Sequence, residues 1–405
     1  MISYYSNFSS LINGSTTQTI LDLGNHGFAD SFFGEADFSK ATDSVPLLCQ
    51  LDSSTGLIQL LNMTEPIERY GQVDYSYTSA NSTTSKNHWI NLVSYFESRF
   101  INKESNILEI GSNDGFLLKM LQDNGHKVLG VDASRFMANV AANSGVKTLT
   151  GIFGESQELE DEILNVSNKF DIIIANNVLN HSNNPVSFVG NVKKLLDEEG
   201  TFTFEVPYWL KTITSLHFDQ IYHEHITYFT VKSARELLKV CGLVIINVEV
   251  VNYHGGSLRI TAAHENTQES PQVEKMIIVE ELEGLFSPAR YDEYFLKISN
   301  RKSVFMQNIA VLKKSGKTLF GIGAAAKANT LLTFYGLNTE FLDFIVDASE
   351  FKQGKITPVT KIPIFDDSHV RKFSNLTGII LAWNISDELQ KNILQFNAGV
   401  EFIRL

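Results

Sequence analysis

The hydrophobic pattern is clearest between residues 106 and 134. An apolar run over residues 107–110 ends at Gly111, and a short polar loop, Ser112-Asn113-Asp114-Gly115, follows. Phe116, Leu117, Met120 and Leu121 then recur at helical spacing. A second apolar run over residues 128–131 stops at an acid, Asp132. This pattern predicts strand, Gly-rich turn, helix and strand, one half of a doubly wound nucleotide-binding fold.

The same reading carries along the chain. Residues 1–66 are rich in Ser, Thr and Asn, with strand-like pieces near residues 19–23 and 56–60. They predict a small, irregular β-rich lobe. A helix is expected over 88–100, another over 136–144, and a fully buried parallel strand over 170–175. Beyond it come a helix over 185–197, a strand over 200–206, a helix over 231–241 and an antiparallel pair, 243–251 with 257–264. Residues 270–314 read as one or two long polar helices, a bridge. The segment from Lys317 again reads strand, Gly loop and helix, and a strand over 341–346 ends in Asp347. The two doubly wound halves look similar in architecture, not in sequence, and no short repeat is expected.

Totals narrow the classes. A chain of 405 residues is too long for one ordinary core, so two or three domains are expected. Apolar content of 43% and charged content of 20% describe a globular protein, and a net charge of −13 argues against a nucleic-acid surface. Two cysteines, Cys49 and Cys241, exclude a disulfide framework and a Cys-only zinc site. No apolar run approaches membrane-spanning length, and the N-terminus lacks a signal-peptide pattern. A cytoplasmic protein without a membrane or nucleic-acid partner is expected, as a monomer.

Gly111 and Gly115 permit backbone angles that side chains forbid and allow close approach of a ligand. Asp132, about twenty residues on, stands where it can accept ribose hydroxyls. The dinucleotide fingerprint G-x-G-x-x-G is absent, and Glu109 precedes the first Gly by two positions. Pyrophosphate over a helix N-terminus wants no anion there. A carboxylate beside the turn suits a cationic ligand, and S-adenosylmethionine carries both an ammonium and a sulfonium. The pattern resembles motif I of class I methyltransferases. The expected cofactor contacts are Glu109, Gly111, Ser112, Asn113, Gly115, Asp132 and Ala133, with Asn176 and Asn177 at the end of the buried strand.

The densest group of titratable residues is Tyr222-His223-Glu224-His225. In a helix Tyr222 and His225 share a face; in a strand Tyr222 and Glu224 do. Histidine can accept a proton at neutral pH. Zinc at His223 and His225 is a weaker reading, for want of a third ligand and of H-E-x-x-H. His181 stands at the cofactor rim, either as a second catalytic group or as a strand-end hydrogen bonder. His254, in Asn252-Tyr253-His254-Gly255-Gly256, either contacts substrate or shapes the bend. Tyr75 and Tyr77 read as interface aromatics ahead of the other reading, hydroxyl donors at the mouth of the following domain. The Gly321 loop with Lys327 makes a phosphate cradle or an unliganded Rossmann-like half, and Lys352 and Lys355 add positive charge.

Five ordered motifs carry a resemblance over nearly the whole chain: LDLGNHGFADSF at Leu21, EIGSNDGFLL at Glu109, FDQIYHEHITYF at Phe218, HGGSLR at His254, and GAAAKANTLL at Gly323 followed by VDASEFKQGKITP. The chain resembles the sugar-nucleotide C-methyltransferases of branched deoxysugar biosynthesis. The resemblance implies an α/β fold in three parts. These are a small N-terminal lobe (1–70), a class I methyltransferase Rossmann-like domain (71–268), and a helical bridge with a C-terminal Rossmann-like domain that helps hold the substrate (269–405). It implies methylation by S-adenosylmethionine of the carbon beside the ketone of a nucleoside-diphosphate keto-deoxysugar. His225 becomes the base and Tyr222 the holder of the carbonyl oxygen. Glu224 supports, His181 and Tyr77 line the pocket, and His254, Arg259, Lys327, Lys352 and Lys355 contact the substrate. A carbon has no lone pair, so the logic of the residues agrees: a base must make an enolate and something must hold its oxygen.

Two departures stand out. The family's zinc-binding cysteines are missing from the N-terminal lobe, where only Cys49 remains, so no zinc is expected and packing alone should hold the lobe, unless it frays or docks on its neighbour. Val359 stands where the family often has Gly in the turn after the lysines. The rival readings are an O-methyltransferase, a nicotinamide-dependent sugar oxidoreductase or epimerase, and a non-catalytic carbohydrate-binding scaffold.

Overall fold

The computed structural model describes residues 2–70, 82–101 and 104–404. Tyr75 and Tyr77 lie outside the described residues.

The middle of the chain builds a seven-stranded sheet. From edge to edge its strands are Leu243–Val251, Ser257–His264, Leu196–Pro207, Phe170–Asn176, Asn106–Ile110, Lys127–Asp132 and Thr148–Thr150. The last five are parallel, while Ser257–His264 runs antiparallel to both its neighbours. Numbered by appearance from the other edge, the order is 3-2-1-4-5-7-6. The chain leaves Asn106–Ile110 in one direction and returns on its other side, so the switch point lies between that strand and Phe170–Asn176. Doubly wound sheets bind ligands outside the carboxyl ends of the strands at such a point. Helices cover both faces, and their starts are set by short polar side chains. Ser82, Ser134, Ser156 and Asn184 each accept the backbone N–H three residues on, in the first turn of the helix they open, and Pro185 follows Asn184 at the first helical position.

The C-terminal sheet has five strands in the order 3-2-1-4-5, all parallel, centred on Thr318–Ile322. It repeats the first five strands of the middle sheet in topology. The expected helical bridge divides in two. Gln272–Leu282 packs on the helix Val231–Val240 and the strand Leu243–Val251, while Ala289–Lys314 reaches the C-terminal sheet and the N-terminal lobe.

The N-terminal lobe is a four-stranded antiparallel sheet whose fourth strand, Thr227–Tyr228, comes from the middle of the chain. It includes a strand, Val45–Asp52, that the apolar pattern does not predict. The lobe is docked, not frayed: Leu47, Cys49, Leu57 and Leu60 belong to one continuous core with the middle and C-terminal domains. Packing is not alone in holding it. Gln59 is fully buried, accepting from the Leu11 N–H at 2.9 Å and donating to the Ser9 carbonyl at 3.0 Å. Gln50 does the same between Thr17 and Asn7. Amide side chains thus tie the N-terminal hairpin to the sheet. Gln59→Leu should leave a donor and an acceptor without partners and lower stability by about 2–4 kcal/mol, read as a lower urea midpoint at constant slope. Among the described residues no group of three His, Cys, Asp or Glu is arranged to hold a metal ion, and no helix is long and apolar enough to cross a membrane.

Val359 has φ of +60°, the left-handed region that costs a β-branched residue most and a glycine least. Its N–H donates to the Ala41 carbonyl at 2.6 Å. The turn therefore docks on the N-terminal lobe and does not line the cleft.

Candidate active site

One cleft of about 880 Å³ collects residues from all three parts of the chain. Its floor is the carboxyl edge of the middle sheet at the switch point.

Gly111 leaves its strand at φ +73°, and a Cβ there would stand 2.2 Å from Val178 Cγ2, so only glycine fits the turn. Gly115 also has positive φ, at +74°, and opens the helix Phe116–Asp123. It does not line the cleft; a Cβ there would meet Ala141 at 2.9 Å, so its part is close helix packing, not ligand contact. Ser112, Asn113, Asp132, Ala133, Asn176 and Asn177 do line it. The Asp132 carboxylate accepts from the Asn113 and Ser134 N–H groups, both at 2.8 Å, and each oxygen keeps a second lone pair for a hydroxyl.

Glu109 decides the character of this wall. It is buried, its Oε2 has no partner among the described residues, and burial, then Asp114 and Asp132, push its carboxyl well above the usual range. Both polar atoms of the Asn176 side chain are likewise buried without a partner. Glu109 and Asp132 line this wall, and among the described residues of the middle domain no lysine or arginine lines the cleft, so the wall disfavours a pyrophosphate and favours a cation bearing hydroxyls. The residues present fit S-adenosylmethionine.

The opposite side holds the titratable group. Residues 222–225 are neither helix nor strand but a turn, closed by the His225 N–H on the Tyr222 carbonyl at 2.9 Å. Tyr228 fixes it, its Oη accepting from the Tyr222 N–H at 3.3 Å. The turn brings the Tyr222 and His225 rings to 3.9 Å, and His181 meets His225 edge-on at 4.9 Å. All three line the cleft. His225 Nδ1 lies 3.0 Å from the Gln220 carbonyl, an acceptor only. Nδ1 therefore carries the proton and Nε2 keeps its lone pair. Burial holds the His225 imidazole down at about 3, and holds His181 well below its usual value, with His225 and Arg69 adding to the effect.

Glu224 does not line the cleft. It turns toward the N-terminal lobe, where Oε1 accepts from the Asp30 N–H at 3.0 Å, and burial lifts its carboxyl to about 7. His223 packs the same way, Nε2 against the Pro46 carbonyl at 3.3 Å.

The substrate candidates divide. His254 lines the cleft at φ +50° and accepts from Gln220 Nε2 at 2.9 Å through its carbonyl. It shapes the bend and faces the cavity at once. Its neighbour Gly255 admits Trp383, which would stand 2.3 Å from a Cβ. Lys327 lines the cleft, its Nζ 4.3 Å over the Trp383 ring, and burial brings its ammonium down to about 8, against the opposing pull of Asp219. Lys352 also lines it and donates to the Ala324 carbonyl at 2.9 Å. Lys355 does not line it, lying one turn beyond. Arg259 does not line the cleft. It sits opposite Glu205 on the neighbouring antiparallel strand, and the pair closes at 2.6 Å with Glu249 at 3.3 Å, so the guanidinium is spent inside the domain.

Several cleft residues escaped the sequence reading. Gln220 holds both His225 and His254, and the Tyr253 ring lies tilted against His254 with centroids 4.0 Å apart. Asp347 accepts from Ala324 and Ser349 N–H groups at 2.7 and 2.9 Å, the geometry of Asp132 over again. A short repeat does exist and signals it: Val-Asp-Ala-Ser stands at 131–134 and again at 346–349.

Sheet order defines a Rossmann-like α/β protein. Residues 85–248 match the family model of a methyltransferase domain, and residues 252–405 that of a C-methyltransferase C-terminal domain. The chain is similar to the C-methyltransferase NovU of Streptomyces niveus, 27% identical over 93% of this chain and 90% of that protein. A ubiquinone biosynthesis O-methyltransferase of Coxiella burnetii is 24% identical over 41% of this chain and 76% of its own. Among solved structures, the magnesium protoporphyrin IX methyltransferase of Synechocystis PCC 6803 with bound SAH aligns at a TM-score of 0.36 and 16% identity, over 44% of this chain and 83% of that one.

Proposed function

We propose that this protein methylates the carbon beside the ketone of a nucleoside-diphosphate keto-deoxysugar, with S-adenosylmethionine as donor. One observation carries the reading. A neutral imidazole with Nε2 unprotonated, ringed by Tyr222 and His181, shares a cleft with the acidic wall at Glu109 and Asp132.

Glu109 would hold the donor's ammonium, Asp132 its ribose hydroxyls, and the Gly111 turn would let it lie against the backbone. The chemistry needed from the donor is an electrophilic methyl group on a cationic sulfur. His225 Nε2 takes the proton from the carbon beside the ketone. The C–H electron pair becomes the enolate double bond, and the carbonyl pair moves to oxygen. Tyr222 donates a hydrogen bond to that oxygen as its charge develops. Capture of the methyl by the enolate carbon restores the ketone, and His225 returns its proton to solvent. An imidazole held at about 3 is a weak base in the unliganded protein. The substrate's diphosphate brings negative charge into the cleft, which stabilises imidazolium and raises it toward working pH. Lys327 and Lys352, which line the cleft from the C-terminal domain, would supply that diphosphate's counter-charge.

The test is a panel of nucleoside-diphosphate 4-keto sugars in deuterium oxide. Without donor, deuterium should enter the carbon beside the ketone. With S-adenosylmethionine, mass and NMR should show a new C–CH3 group. A methyl ether with no exchange would replace this reading by O-methylation, and tight NAD binding without donor binding would replace it by redox chemistry.

A further inference from the structure

The motif GAAAKANTLL contains more than Lys327. Asn329 and Thr330 follow on the same helix, Ala326–Tyr335, whose first residues line the cleft. Both are buried, at 4% and 2% exposure, and neither lines the cleft, so neither can contact a ligand there. Each reaches out of its own domain. Thr330 Oγ1 donates to the Ile221 carbonyl at 3.0 Å, the peptide immediately before Tyr222. Asn329 Nδ2 donates to the Ala29 carbonyl at 2.5 Å, the peptide immediately before Asp30, whose own N–H holds Glu224.

We infer that Asn329 and Thr330 are positioning residues for Tyr222 and His225: this helix holds the start of the turn directly, at Ile221, and its middle, at Glu224, through the Ala29–Asp30 peptide, while presenting Lys327 to the substrate. The inference rests on the proposed role of His225. Its physical content is a fixed distance. The turn has no regular backbone ladder of its own, so its place is set by the groups that satisfy its carbonyls. The helix is rigid, and Lys327 and Thr330 stand one turn apart on it. A diphosphate seated against Lys327 therefore has its sugar held at a set reach from His225 Nε2. Release of the Ile221 carbonyl frees the turn to shift while leaving both binding walls intact.

The experiment compares Thr330→Val, Thr330→Ser and Asn329→Ala in the full chain, using the panel member that the unaltered protein turns over. Thr330→Val and Asn329→Ala should each lower kcat and the donor-independent deuterium exchange together by about 10- to 100-fold, the cost of misplacing a reacting group by roughly 1 Å. KM for the sugar nucleotide and affinity for S-adenosylhomocysteine should stay unchanged, and Thr330→Ser should restore the rate. A purely structural role would lower the melting temperature and both affinities without separating kcat from KM. If Thr330→Val fails to fold, Asn329→Ala decides by the same readouts. Unaltered exchange and turnover in the folded variants, with His225→Ala inactive, overturns the inference alone. An active His225→Ala overturns the reading beneath it.

Discussion

Replacing His225 with alanine should stop proton abstraction while leaving donor binding intact. Turnover should fall by about 10²–10⁴-fold, the usual contribution of a positioned base. Deuterium exchange into the keto sugar, measured with no donor present, should fall with it. Affinity for S-adenosylhomocysteine should hold, because Glu109 and Asp132 lie on the sheet edge and share no hydrogen bond with the 222–225 turn. Tyr222→Phe makes the contrast informative. It keeps the ring against His225 and removes only the hydroxyl, so exchange should slow by about 10²–10³-fold, the cost of one oxyanion donor. If His225→Ala exchanges and methylates at the original rate, the imidazole is not the base. The alanine variant should still fold, because His225 lines the cleft and water can enter the vacated space to bond the released Gln220 carbonyl.

The Gly111 turn and the wall carrying Glu109 and Asp132 were legible in sequence because they are local. A strand, a turn that needs positive φ, a helix and a second strand all fall within one short stretch, and each announces itself by period or by glycine. The 222–225 turn was legible as chemistry but not as shape. Helix and strand were weighed there, and the backbone is neither. Its geometry is imposed from far along the chain, by Asp30 on Glu224, by Pro46 on His223 and by Thr330 on Ile221. No local period records such contacts. The placement of Arg259 away from the cleft was illegible for a related reason. Its partner Glu205 is fixed by strand register, which a single sequence does not display. The strand Val45–Asp52 was hidden because most of its residues are buried on both faces, so it lacks alternation. Asp347 was within reach: its Val-Asp-Ala-Ser context copies that of Asp132 letter for letter.

Glu109 sets the second large effect, and it is a linkage between donor and proton. In the unliganded protein burial, Asp114 and Asp132 raise its carboxyl well above the usual value, so it tends to keep its proton. An ammonium seated beside Oε2 favours the carboxylate and lowers that value again. Binding then expels a proton wherever the pH lies below the unliganded value. Affinity for S-adenosylhomocysteine, which carries the same ammonium, should therefore rise with pH up to that value and level off above it. Glu109→Gln mimics the protonated side chain, so the fold should be undisturbed. It cannot ionise, however. On the plateau its affinity should be lower by about 10²–10³-fold, as when one partner of a buried charge pair is removed, and the pH dependence from this group should vanish. Calorimetry in buffers of different ionisation enthalpy counts the proton directly: release should be seen with Glu109 and lost with Gln. If the two proteins bind with equal affinity and equal proton release, the ammonium lies elsewhere, and the carboxylate at the turn is not what selects a cationic donor over a pyrophosphate.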